Sequence, residues 1–485
     1  MFEGRDREVL FAFVVSVSCA IFFVRFDFQA LVVVLLFGVC ALPFVISIRR
    51  GPIDVFEPIL FYSIFMLMTV IAIFDRLYIK DPYLLHPEWV SRDFSTAFLL
   101  LSSLYLLFFM IILIGYYFAI ERWIEVPTFI SDQEWHNATV YRRLGIIYMF
   151  VGFLFYTLLV GTALDWELLR IYRTTEPRSE IFAGAHHLVL GSRMLYIGYL
   201  AWLTGIIIES RRPGILHLTP AVVLTGLFLL LGGRQRAITI VLITVILVYY
   251  TSVYPIVQTT PRWIRFAADE VHRKAKLLTL PVSGVLVGIS FVVLRAARSG
   301  REIGETFSYD TIIRVLTAGI HNYHLDYFIV TLEIVPERFG YYWGTLFLRV
   351  PLNYVPRAAW TDKPPLTVGA ELRRVILPDA TGGRPPGMIG HFYVDGGFIG
   401  ILVGAFLFGV LLRLLYVLLQ RNQQSPVFIL LYAIFVASSV PMGISNNSLW
   451  VVSNHLLLLA PILTADWASR RDGSVVSEDD STVRD

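Results

Sequence analysis

Residues 353–400 read NYVPRAAWTDKPPLTVGAELRRVILPDATGGRPPGMIGHFYVDGGFIG, a polar span rich in Pro and Gly that lies between strongly apolar runs. It carries Arg357, Asp362, Lys363, Glu371, Arg373, Arg374 and Arg384, then His391, Tyr393 and Asp395 at the mouth of the next apolar run. Charge concentrated beside so greasy a segment requires water, a partner or a ligand. The apolar run that comes after it, 388–419, exceeds the roughly 20 residues that a helix needs to cross a bilayer, so this stretch marks where membrane helices give way to an exposed loop.

Working outward, similar runs fall near 9–24, 28–48, 58–74, 94–120, 144–162, 188–208, 215–232, 237–256, 277–294, 426–442 and 447–464. The totals agree. Of 485 residues, 56% are hydrophobic and 16% charged, and the mean hydropathy is +0.67, well outside the range of soluble domains. The expectation is an all-α, polytopic helical membrane protein with about 12 transmembrane helices. A net charge of +3 is too small to imply a nucleic-acid partner. Cys19 and Cys40 both sit in apolar runs, which implies no disulfide framework. The first run passes at once through Arg25 and Asp27 into the second, the pattern of a helical hairpin and not of a cleavable signal peptide.

An even number of spans puts both termini on one side. The loops on that side carry Arg49 and Arg50, Arg142 and Arg143, Arg211 and Arg212, and Lys274 and Lys276, which makes it cytoplasmic. The expected organisation is nine helices in 1–294, a long extracytoplasmic loop over 295–387, three helices in 388–469 and a disordered cytoplasmic tail over 470–485. The long loop is half-apolar in 311–335 and 341–352, which reads as amphipathic or re-entrant helices, since backbone at membrane depth must be buried in protein or line a wet cavity.

The outside face is rich in arginine: Arg170, Arg173 and Arg178, then Arg234 and Arg236, then Arg298, Arg357 and Arg384, with Lys363 among them. Arginine's planar fork grips phosphate oxygens in pairs, so the set suits a diphosphate. His391, Asp395 and Asp362 are the candidate bases for an attacking hydroxyl, because an imidazole titrates near neutrality and a carboxylate accepts protons. Trp360, Tyr393 and Tyr309 are candidates for stacking on sugar faces, or for anchoring at the membrane interface. His186 with His187, and His321 with His324, have metal-ligand spacing but no accompanying Cys or carboxylate set, so no metal is expected. There is no P-loop, zinc-hydrolase motif or nucleophile elbow. No cofactor is expected, and any bond made must draw on an activated substrate.

Three short patches then carry a resemblance. Gly232-Gly233-Arg234-Gln235-Arg236-Ala237, the run Val355-Pro356-Arg357-Ala358-Ala359-Trp360-Thr361-Asp362-Lys363-Pro364, and Tyr393-Val394-Asp395-Gly396-Gly397-Phe398-Ile399-Gly400 resemble the oligosaccharide repeat-unit polymerases, the O-antigen (Wzy-type) polymerases of bacterial envelopes. Asp54-Val55-Phe56-Glu57-Pro58, before the third run, resembles them too. The resemblance implies a metal-independent glycosyltransferase of the bacterial inner membrane, with its active face periplasmic. Its implied substrates are undecaprenyl-diphosphate-linked oligosaccharides, its surroundings membrane lipids, and its further partners a chain-length regulator and a flippase. It also implies that Arg234, Arg236, Arg298, Arg357, Lys363 and Arg384 hold the diphosphate and that His391 or Asp395 serves the acceptor hydroxyl. Arg173, with Gly184, fits an arginine-to-glycine spacing of such outside loops and is placed with Tyr309, Trp360 and Tyr393 at the sugar. An O-antigen ligase shares this layout, and a lipid-oligosaccharide flippase is the rival from another class. A transporter more often shows two related halves with charges inside its spans; here the charge sits in loops.

Overall fold

The computed structural model describes residues 28–50, 54–79, 94–118, 120–126, 137–168, 184–210, 215–231, 234–253, 323–338, 340–349, 367–376, 383–423 and 425–445, with a few isolated positions between them. The runs 9–24 and 277–294, most of 447–464, the segment 295–322 and the tail 470–485 lie outside the described residues.

Secondary structure among the described residues is helical. In chain order it runs α1 Phe28–Arg50, α2 Pro58–Ile79, α3 Phe94–Tyr117, α4 Ala138–Ala163, α5 His186–Gly191, α6 Met194–Ser210, α7 Ile215–Leu230 and α8 Arg234–Val248. After the long loop come α9 Tyr323–Ile334, α10 Thr345–Leu348, α11 Val368–Ile376, α12 Gly387–Arg421 and α13 Pro426–Ser445. Among the described residues, five helices are long and apolar enough to cross a membrane: Ala30–Arg50, Thr96–Arg122, Ala138–Ala163, His187–Glu209 and Gly387–Arg421. Their outward side chains are apolar as well. Phe37, Phe150 and Leu407 are exposed, which water penalises and lipid does not. The chain is a helical membrane protein.

It divides into two compact units. One comprises Met1–Pro127, Ile313–Leu418 and Ser438–Asn454; the other comprises Thr128–Ile312, Leu419–Ala437 and His455–Asp485.

In the second unit, α4 and α6 pack through a glycine seam. A methyl group at Gly145 would lie 2.5 Å from the Trp202 amide nitrogen, at Gly152 2.1 Å from that of Leu195, and at Gly198 2.4 Å from that of Met149. Falling numbers on one helix match rising numbers on the other, so the pair is antiparallel. Between lipid-immersed helices no hydrophobic force drives association, and such close backbone approach supplies the dispersion contacts instead. Asn137 caps α4 by accepting from the Thr139 amide at 3.0 Å, and Arg142 pairs with Glu209 at 2.7 Å where the seam ends.

In the first unit, α3 and α12 also cross at a close glycine contact. A methyl at Gly115 would lie 2.3 Å from the Phe406 carbonyl oxygen, and one at Gly409 2.1 Å from that of Ile112. Further along both helices, Arg413 forks onto the carboxylate of Glu121. The same end gathers buried acids. Glu57 accepts from the Tyr116 hydroxyl at 2.7 Å, and Asp54 accepts from that of Tyr416 at 3.1 Å. Arg413 lies 5.7 Å from the Tyr116 ring centre, and Arg50 lies 5.2 Å from that of Tyr117. The ends of α1, α3 and α12 and the start of α2 therefore share one polar end, with each carboxylate partnered as burial demands.

Candidate functional site

The opposite end of the first unit holds the polar span that leads into α12, and it is built on a break in that helix. Gly396 (φ −158°, ψ 27°) and Gly397 (φ 62°, ψ −145°) leave the helical conformation. The second of these lies in a region that only glycine enters freely. The chain reverses at this point: a methyl at Gly400 would lie 2.1 Å from the Phe392 carbonyl oxygen, and one at Gly404 2.5 Å from the Phe392 ring. In an unbroken helix residues 392 and 400 stand about 12 Å apart along the axis. So 387–395 is a half-helix doubled back on 398–421. The longer limb alone, at about 36 Å, still exceeds the hydrocarbon thickness. The sequence reading of one continuous span over 388–419 is corrected on this point: Gly-Gly permits a turn that a count of apolar residues does not register.

Ending a helix inside packed structure frees its last carbonyls, which must find donors. They find them in the turn between α9 and α10. The Val394 carbonyl accepts from the Tyr342 amide at 3.1 Å, and that of Asp395 accepts from the Trp343 amide at 2.7 Å. The Asp395 side chain then takes the next donor, accepting through Oδ1 from the Gly344 amide at 2.8 Å. To present three successive N–H groups in this way the turn adopts left-handed backbone at Trp343 (φ 48°) and Gly344 (φ 82°). For a bulky residue such as tryptophan that costs about 1–3 kcal/mol and persists only where the surroundings impose it.

Two further contacts fix the turn. Arg349 lies 4.9 Å from the Tyr342 ring centre and pairs with Glu371 of α11 at 3.1 Å. Burial pushes the Glu371 carboxyl up to about 7, with Arg374 drawing it back; the Arg349 contact also favours the charged form. Between α11 and α12, the Arg384 amide donates to the Gly369 carbonyl at 2.7 Å, and its guanidinium sits 5.8 Å from the Tyr327 ring centre. Arg384 makes no ion pair among the described residues.

His391, expected at the helix mouth, lies one turn inside the half-helix and is 3% exposed. Among the described residues its buried Nε2 has no hydrogen-bond partner, a condition that costs about 1–3 kcal/mol and that folded proteins rarely leave without purpose. Nearby on α9, His324 and Asp326 are also buried, with the His324 ring 6.3 Å from that of Tyr105. Among the described residues no three His, Cys, Asp or Glu side chains converge as a metal site.

Tyr393 is enclosed. Its hydroxyl donates to the Val335 carbonyl at 3.3 Å, and its ring meets those of Phe328, Tyr341 and Phe398 edge-on. That leaves it no open face for a sugar, so its role is to pack the half-helix against α9. Trp360 is exposed. Arg234 opens α8 and Arg236 comes two positions later, both in the second unit. Arg173, Arg298, Tyr309, Arg357 and Lys363 lie outside the described residues. The site residues that the sequence reading missed are Trp343 and Arg349. Both belong to 341–352, read from the sequence only as a half-apolar, amphipathic or re-entrant segment, and only their fold contacts single them out.

Comparison with known proteins adds no relative: no protein-family model matches the chain, no curated protein does, and no solved structure does.

Proposed function

We propose that this chain is a membrane glycosyltransferase that polymerises undecaprenyl-diphosphate-linked oligosaccharide repeat units into a surface polysaccharide, at the periplasmic face of the bacterial inner membrane with both termini cytoplasmic. The observation that carries the reading is the doubled-back half-helix. It sets a buried imidazole with an unpaired nitrogen, His391, a few residues from Arg384, whose charge no carboxylate neutralises among the described residues, and from the half-buried carboxylate of Asp395.

The chemistry needs those parts. The hydroxyl oxygen of the acceptor sugar attacks the anomeric carbon of the donor, and the bond from that carbon to the phosphate oxygen breaks. Undecaprenyl diphosphate leaves with the bonding electrons, and the hydroxyl proton passes to a base. His391 fills the place of the base, its imidazole taking the proton at Nε2. Arg384 neutralises the charge that grows on the departing diphosphate, as fixed cations do best in a site poor in water. Asp395 keeps the half-helix that carries His391 closed on the turn at 342–344. Arg357 and Lys363, from the same polar span, complete the diphosphate set in this reading.

The test is reconstitution. The purified full-length chain in proteoliposomes, given undecaprenyl-diphosphate-linked repeat units from the host, should form a ladder of lengthening oligosaccharides without added nucleotide, and H391A should form none. Absence of any ladder from the unaltered protein would refute the reading.

A further inference from the structure

We propose that Trp343 is the floor of a sugar subsite, its indole face offered to a pyranose ring while the outer oxygen of Asp395 accepts from that ring's hydroxyls; this rests on the glycosyltransferase reading of the site and names a substrate contact within it. Four observations carry it. The indole is 69% exposed although its backbone is among the most constrained in the unit. Its amide and that of Gly344 are both bound to Asp395, at 2.7 Å and 2.8 Å, so the carboxylate and the ring are held as one piece. Asp395 spends only Oδ1 on this clamp and makes no other side-chain hydrogen bond among the described residues, which leaves Oδ2 to accept. Finally, Tyr341 braces the indole edge-on, with ring centres 5.7 Å apart, and a methyl at Gly396 would just touch it at 3.8 Å.

A tryptophan that serves only to anchor a helix at the lipid surface needs no particular backbone. This one is held in a left-handed conformation that, among the described non-glycine residues, only Asp165 and Trp166 share, and a half-buried carboxylate holds it there. An apolar ring face beside a hydrogen-bond acceptor fits a sugar, whose ring presents C–H groups on one face and hydroxyls around its edge. It does not fit an acyl chain, which has nothing to donate. Exposed Phe398 and Ile399 come at once on α12, so apolar surface adjoins the carboxylate. A sugar joined to a lipid presents both chemistries together.

The test uses the full-length chain in nanodiscs. The probe is the repeat-unit oligosaccharide released by mild acid from the host's surface glycan, with binding followed by saturation-transfer NMR. W343F should bind within about threefold of the unaltered protein, and W343L about tenfold more weakly, about 1.4 kcal/mol. In the unaltered protein the indole resonance that W343F removes should shift on titration, a readout that does not depend on how W343L folds. Equal binding by W343L, or an unmoved Trp343 resonance while the oligosaccharide binds, would overturn the subsite and leave an interfacial anchor. The two failures separate. If binding needs Trp343 but deleting the gene leaves the glycan ladder intact, the subsite stands and the polymerase reading falls; if deletion removes the ladder but W343L binds normally, the reverse holds.

Discussion

The Oδ1 of Asp395 accepts a hydrogen bond at 2.8 Å from the backbone amide of Gly344, 51 positions earlier in the chain. A side chain at the end of a half-helix thus completes the row of acceptors that the Val394 and Asp395 carbonyls begin. It is the contact by which a distant loop holds the site closed.

Replacing Asp395 separates clamp from base. Asparagine retains an oxygen where Oδ1 sits and alanine retains none, so D395A should lose surface polymer more severely than D395N. The lost bond to a charged acceptor is worth about 1.5–3 kcal/mol, and thermal unfolding in detergent should show D395A the less stable of the two. Equal and complete loss of polymer in both variants, with stability unchanged, would make Asp395 the base instead.

Gly397 has φ 62°, and a side-chain methyl there would lie 3.1 Å from the Tyr341 ring and hydroxyl. Strain and crowding act together, so G397A should destabilise the protein by about 1–2 kcal/mol and abolish polymer. G396A is the control: its φ of −158° lies outside the left-handed region, and its methyl meets nothing closer than 3.8 Å.

The seam between α4 and α6 should be equally intolerant. G152A would drive a methyl to 2.1 Å from the Leu195 backbone, whereas at Gly38 and Gly226 nothing lies within 4 Å. G152A should lower the thermal midpoint, while G38A and G226A should leave it unchanged or raise stability by up to about 1 kcal/mol through helix propensity.

Glu371 gives the fold a dependence on pH. Its carboxyl is raised from 4.5 to about 7 by burial, so the native state holds the proton more tightly than the unfolded one. The stability this confers is full below the unfolded value and is lost as pH rises through about 7. Between about pH 5 and 8 the thermal midpoint of the unaltered protein should therefore fall relative to that of E371Q, which cannot titrate. Parallel curves would show that the pairs with Arg349 and Arg374 cancel the effect of burial.

How much of this is written locally in the chain differs from element to element. The run 28–48 appears as Phe28–Arg50, 94–120 as Phe94–Tyr117 and 144–162 as Ala138–Ala163, because apolar composition over about 20 residues is all that a membrane helix requires. The same measure counts residues without regard to direction, so it takes 388–419 as one span although Gly396 and Gly397 turn the chain back on itself. The glycines are visible; the partner that makes their turn worthwhile, at 342–344, is remote in sequence. His391 and Asp395 stand out as titratable groups beside an apolar run, but the burial of one and the clamp made by the other depend on contacts with α9 and the 341–344 turn. Trp343 carries no local mark at all. Asp54 and Glu57 belong to a recognisable pattern, and what they do, binding the hydroxyls of Tyr416 and Tyr116, needs helices drawn from both ends of the chain.

The most direct measurement is deletion of the gene in its host, with surface glycan run on a gel and lipid-linked intermediates extracted in parallel. The account predicts loss of the polymer ladder with a single repeat unit still displayed at the surface, restored by the unaltered gene and not by H391A. Long polymer accumulating on undecaprenyl diphosphate would contradict it in favour of a ligase, and unpolymerised units held at the cytoplasmic face would contradict it in favour of a flippase.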